Sequence, residues 1–141
     1  MKITYRYGTD SMDLDRVTEM LSKAYWSLGI MKEEITKAAA GSALVIGAFA
    51  PDGRQIAYGR VISDKTRFAY LTDFYVEPDF RNRGICRTMV GLVLSHPDLS
   101  DVYQWLLVTG DAHGLYEKCG FKVISRPGDY MEIRTPRPDG R

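Results

Sequence analysis

Cysteine and histidine are scarce in this chain, two of each in 141 residues. Cys86 and Cys119 lie 33 positions apart, and neither has a histidine at zinc-like spacing, so no metal is expected. No apolar signal core appears in residues 1–15, so the two cysteines read as free thiols and the expected compartment is cytoplasmic. Long hydrophobic runs are also missing. The longest, Ala43 to Ala50, is far too short for a bilayer span and contains Gly47, so no membrane association is expected. Nor does either charge dominate: 19 Lys and Arg face 18 Asp and Glu, a net +1. That balance argues against general nucleic-acid binding, which needs a basic excess. A Walker-type Gly-Lys-Ser/Thr loop, internal repeats, low-complexity segments and linkers are all lacking.

What is present suits one domain. The chain is 45% hydrophobic and 26% charged, ordinary values for a packed fold of this length. A single domain is expected over residues 1–134, with 135–141 a loose tail carrying two prolines and a glycine. Lys2 to Tyr7 alternates as a strand. Leu14, Val17, Leu21, Ala24 and Leu28 recur at helical spacing, with Asp13 as N-cap and Gly29 as stop. A second helix is expected from Lys32 to Ala40. Ala43–Ala50 and Gln55–Ser63 read as a hairpin through Pro51-Asp52-Gly53, and Phe68–Val76 follows as a strand. A helix opening at Gly84 stops before Pro97, and Val102–Val108 is an apolar strand. Ala112–Cys119 is a short helix closed by Gly120. Phe121–Ser125 and Tyr130–Arg134 read as a final strand pair around Pro127-Gly128. The order is βααβββαβαβ(β), and its strand-helix-strand unit predicts a right-handed parallel crossover in an otherwise antiparallel sheet.

The most informative stretch is Val76-Glu-Pro-Asp-Phe-Arg-Asn-Arg-Gly-Ile-Cys-Arg87, where a strand ends, a basic loop follows and Gly84 opens a helix. Such a turn leaves backbone N–H groups unpaired at the positive end of the helix dipole, which suits a phosphate or pyrophosphate. Arg81, Arg83 and Arg87 add positive charge. On spacing alone, a strand-to-helix turn carrying solvated arginines remains an equal alternative.

Here the sequence resembles the GNAT superfamily of acyl-coenzyme A-dependent N-acetyltransferases. Their signature Arg/Gln-x-x-Gly-x-Gly/Ala is matched by Arg81-Asn82-Arg83-Gly84-Ile85-Cys86, with Cys86 departing from Gly or Ala, and Val76-Glu77-Pro78 precedes it. A second element, Gly114-Leu-Tyr-Glu-Lys-Cys-Gly-Phe121, is similar to the family's Leu-Tyr-x-x-x-Gly-Phe segment. The resemblance covers nearly the whole chain. It implies an α/β (α+β) fold of GNAT type: a mixed, mostly antiparallel sheet with a central parallel β-α-β crossover and flanking helices.

The resemblance implies acetyl-CoA as co-substrate and a primary amine of a small molecule or protein as acceptor. Transfer requires amine deprotonation, oxyanion stabilisation and a proton for the leaving thiolate. By resemblance, Arg81, Asn82, Arg83, Gly84, Ile85, Cys86 and Arg87 form the pyrophosphate loop, and Phe74, Tyr75 and Val76 give main-chain contacts to the pantetheine and thioester. Asp111 stands where relatives carry an Asn on the pantetheine arm, and an ionised Asp accepts without donating. Tyr116 corresponds to the family's general acid, with core packing as its plainer reading. Asp73 is the candidate for holding the amine, or else a structural ion pair. Tyr25 and Trp26 offer an acceptor wall, or else core. His113 is nearby, with solvation or helix capping as its ordinary role. Neither cysteine is placed as a nucleophile, so direct attack in a ternary complex is expected. The resemblance also allows a homodimer.

Two other readings stay open at this point. One is a non-catalytic acyl-CoA-binding sensor or interaction domain. The other is an unrelated α/β protein whose loop binds another nucleotide.

Overall fold

The computed structural model describes residues 1–139 and 141. Five strands form one sheet in the order β1-β2-β3-β4-β5: β1 (Thr4–Tyr7), β2 (Leu44–Phe49), β3 (Gln55–Ser63), β4 (Phe68–Val76) and β5 (Gln104–Leu107). The first four pair antiparallel, and β4 pairs β5 in parallel. Between β4 and β5 runs α3 (Ile85–Leu94), the crossover that a parallel pair requires. The remaining helices are α1 (Leu14–Leu21), α2 (Lys32–Ala40) and α4 (His113–Lys118).

The sheet has an apolar layer on each face, which is why β2 is buried along its whole length. On one face Ile46, Ile56 and Leu71 pack against Met89, Val90 and Val93 of α3. On the other, Val45, Tyr58 and Tyr75 pack against Val17, Met20 and Leu21 of α1 and Ile35 of α2. Each fully buried aliphatic side chain contributes roughly 1.5–3 kcal/mol. α1 begins as expected, the Asp13 carboxylate accepting from the Arg16 N–H at 3.1 Å.

α1 ends at Leu21, about two turns before the periodicity suggests. Serines divert the chain: Ser22 Oγ bonds the Glu19 carbonyl at 2.8 Å, and buried Ser27 Oγ takes the Leu21 carbonyl at 2.7 Å. Gly29, at φ 72°, bonds back to Ser22 and completes the turn. Leu28 therefore lies on no helix face and is exposed.

The expected pair Phe121–Ser125 and Tyr130–Arg134 does not form strands. Pro127–Asp129 makes a single 3₁₀ turn, and the flanking residues Val123, Met131 and Ile133 find no partner strand among the described residues. β5 is thus the sheet's edge.

One irregularity shapes the site. Tyr58 faces Tyr75 and Arg60 faces Thr72, so Gly59 of β3 stands opposite both Asp73 and Phe74 of β4. This bulge puts Asp73 at φ 59°, a conformation Asp tolerates better than most residues. Gly59 is required by proximity: a Cβ there would meet the Phe74 ring at 2.6 Å.

Candidate active site

Pairing between β4 and β5 ends at Leu71 and Leu107. Beyond that point Thr72–Val76 of β4 has no strand on its β5 side, so the two strands part. The Glu77 N–H bonds the Ile56 carbonyl of β3 at 2.8 Å. Strand alternation then turns the N–H groups of Phe74 and Val76 the other way, into the opening. A groove of about 870 Å³ runs from this gap to the N-terminus of α3. It brings together Tyr25, Trp26, Phe74, Tyr75, Val76, Arg81, Asn82, Gly84, Ile85, Cys86, Arg87, Asp111 and Tyr116.

The loop before α3 is made by backbone conformation. Asn82 (φ 63°) and Gly84 (φ 78°) are both left-handed. No side chain caps α3, leaving its first N–H groups for a ligand. At Gly84 nothing lies within 4 Å of where a Cβ would stand, so the concavity is open at the helix terminus. Arg81 is held, with Nε donating to the Val76 carbonyl at 2.8 Å and the guanidinium 5.1 Å from the Tyr75 ring centre. Arg87 is exposed beside the groove. Arg83 is not part of the lining: its guanidinium lies over Phe80 at 5.4 Å and reaches Met1 Sδ. These features accommodate a pyrophosphate chiefly through main-chain donors.

Tyr116 is fixed from behind. The helix ends in a Schellman turn, with Phe121 N–H on the Tyr116 carbonyl at 3.1 Å and Gly120 (φ 102°) on Glu117. The Phe121 ring packs edge-on against Tyr116 at 6.0 Å. Cys86, in the first turn of α3, lines the same groove as Tyr116. Burial, reinforced by Cys86, pushes the phenol well above its ordinary value, so it is protonated across the physiological range. Burial also pushes the Cys86 thiol up, to about 11, with Cys119 adding to the shift. A thiol so protonated is a poor nucleophile.

Asp73 does not line this groove. It borders two smaller cavities, of about 250 and 230 Å³. Its carboxylate accepts from Arg60 Nε at 2.7 Å and from Trp26 Nε1 at 2.9 Å. Both oxygens are thus engaged, the ion-pair alternative from the sequence. Arg60, one strand away, went unnoticed there; a charge within a central strand that needs an opposite partner was the available signal.

Tyr25 and Trp26 are 52% and 45% exposed, a wall and not core. Their rings meet edge-on at 4.9 Å, and Tyr25 Oη accepts from the Gly110 N–H at 2.9 Å, tying the turn that follows α1 to the loop after β5. Asp111 is exposed and borders the main groove and the 250 Å³ cavity. His113 begins α4 and lines a different, apolar hollow beside β5. No group of metal-ligating side chains occurs among the described residues, nor is any helix among them long and apolar enough to cross a membrane.

The model of the acetyltransferase (GNAT) domain matches residues 42–123. A GNAT-family protein from Xanthomonas campestris pv. campestris is 35% identical, over 96% of this chain and 95% of that one, with a TM-score of 0.89. A GNAT-family acetyltransferase from Streptococcus pneumoniae TIGR4 has the same fold at 21% identity, covering 97% of this chain and 100% of that one, TM-score 0.75. So does a predicted acetyltransferase from Clostridium acetobutylicum solved with acetyl-CoA, at 19% identity, covering 94% and 96%, TM-score 0.71. No curated protein matches the chain.

Proposed function

The chain belongs to the GNAT family of acetyltransferases, and we propose that it moves an acetyl group from acetyl-CoA to a primary amine by direct attack in a ternary complex. Membership makes it an acyltransferase that draws on acetyl-CoA. The rest is our reading. The single observation that carries it is the parting of β4 and β5 beside an uncapped, left-handed loop at the N-terminus of α3.

In this reading the free N–H groups of Phe74 and Val76 hold the pantetheine and the thioester carbonyl, and one of them meets the developing oxyanion. The backbone around Arg81–Arg87 holds the pyrophosphate, with Arg81 and Arg87 neutralising charge. Arg83 contributes only long-range charge, because its side chain is engaged elsewhere. The Tyr116 hydroxyl, protonated at neutral pH, donates its proton to the leaving sulfur. Asp73, locked to Arg60, orients the acceptor wall through Trp26 and does not itself take the proton. Asp111 faces the acceptor amine.

We place the reaction in the cytoplasm, consistent with two unpaired thiols. The open edge of β5, together with Met131 and Ile133 at 97% and 98% exposure, favours a homodimer. The test of the function is thiol release from acetyl-CoA over a panel of primary amines. Amine-dependent release that Tyr116→Phe suppresses without loss of acetyl-CoA binding supports the reading. Binding without release from any amine favours the sensor alternative.

A further inference from the structure

The segment after the Pro127 turn, which forms no strand, crosses the molecule as a strap. At one end the Tyr130 hydroxyl accepts from Gln104 Nε2 of β5 at 2.8 Å. At the other, Arg137 Nη1 donates to the Leu28 carbonyl at 2.6 Å and Arg141 pairs with Glu34 of α2 at 3.0 Å. Between these anchors, Arg134 borders the 250 Å³ cavity that also contains Tyr116, Phe74, Tyr25 and Trp26. Three charged residues line that cavity: Asp73, Asp111 and Arg134. Asp73 is already neutralised by Arg60. Asp111 and Arg134 form no ion pair among the described residues. The cavity thus offers one unspent anion and one unspent cation around the reacting centre.

We infer that the acceptor is a small amine bearing a carboxylate or comparable anionic group, which Arg134 binds while the amine faces Tyr116. The inference rests on the acetyl-transfer reading above. Its chemistry is that of a zwitterion: an ammonium is drawn to the Asp111 side, and a planar guanidinium grips a carboxylate through two parallel N–H donors. The cavity lies below the size of drug-binding pockets, which fits a metabolite-sized acceptor. Arg134 is a specificity residue here, acting on the acceptor and leaving acetyl-CoA binding alone.

The experiment compares matched pairs of amines, each amino acid against its decarboxylated analogue, by thiol release at saturating acetyl-CoA. For the wild type, kcat/KM should favour the carboxylate-bearing member of at least one pair by roughly 10- to 100-fold. Arg134→Gln should erase that preference through KM, and Arg134→Lys should restore part of it. Arg134 is exposed, and thermal stabilisation by acetyl-CoA, unchanged in both variants, verifies that they fold. Equal kcat/KM within every pair, or a preference that survives Arg134→Gln, overturns the inference and leaves acetyl transfer standing. Thiol release that no amine on the panel raises above the amine-free rate overturns acetyl transfer, and the inference falls with it.

Discussion

The two halves of the cleft are built from different materials. The half we assign to acetyl-CoA is backbone: an interrupted strand ladder, two left-handed residues and an uncapped helix terminus, with the side chains of Asn82 and Arg87 turned to solvent. The half we assign to the acceptor is side chains joined across long sequence distances. Trp26 meets Asp73 over 47 positions, Tyr25 meets Gly110 over 85, and Arg137 meets Leu28 over 109. A backbone-built site is sensitive to glycine positions and indifferent to most side-chain deletions. A side-chain-built site is the reverse.

The largest effect should come where the halves meet. Tyr116→Phe removes only a hydroxyl, and kcat is expected to fall by about 10²- to 10⁴-fold with acetyl-CoA affinity nearly unchanged. A loss carried by affinity instead would make Tyr116 part of the cofactor wall. Gly59→Val comes next. Its side chain would strike the Phe74 ring, so it should cost about 1–3 kcal/mol of stability and weaken acetyl-CoA binding by displacing β4. Denaturant unfolding and ligand titration measure the two parts, and intact binding would show that the bulge does not set the oxyanion donor.

Asp73→Asn tests the acceptor half. Asn accepts the left-handed backbone and can keep the Trp26 bond, so the change isolates the charge facing Arg60. The pair is mostly but not fully buried, and the expected loss is about 2 kcal/mol with acetyl-CoA affinity unaffected. Asp73→Ala, which also loses the Trp26 contact, should unfold at lower denaturant still. Smallest of all, Arg87→Ala should raise the acetyl-CoA dissociation constant by no more than about 10-fold, since an exposed charge only supplements the main-chain donors.

Alkaline pH sharpens the same boundary. The Cys86 thiol is raised from its ordinary value of 9.0 to about 11 in the folded protein. A folded-state pKa above the unfolded one means that the native state holds its proton longer. The associated stability is complete below pH 9 and is lost as pH rises through 11. Cys86→Ala should flatten that part of the unfolding profile.

The contrast also explains what could be read in advance. Arg81–Cys86 and Leu115–Phe121 are local segments whose spacing carries their geometry, so the groove was legible as a motif. The crossover β4-α3-β5 followed from strand and helix periods. What escaped depends on contacts distant in sequence. The partner of Asp73 is fixed by sheet register, and the bulge at Gly59 appears only when β3 and β4 are aligned. The end of α1 at Leu21 was hidden because Ser22 and Ser27 break the helix through their hydroxyls while the apolar period continues to Leu28. Tyr130–Arg134 has strand-forming residues, but pairs with no strand among the described residues. Arg134 is therefore expected in a sheet from its sequence, whereas in the fold it borders the 250 Å³ cavity.

The most direct measurement is thermal unfolding with acetyl-CoA, with ATP as the phosphate-bearing control. At about 100 times the dissociation constant, acetyl-CoA should add about 2.7 kcal/mol and raise the midpoint by several degrees, while ATP does little. A comparable shift with ATP, or none with acetyl-CoA, would contradict a groove built for the coenzyme along the parted strands.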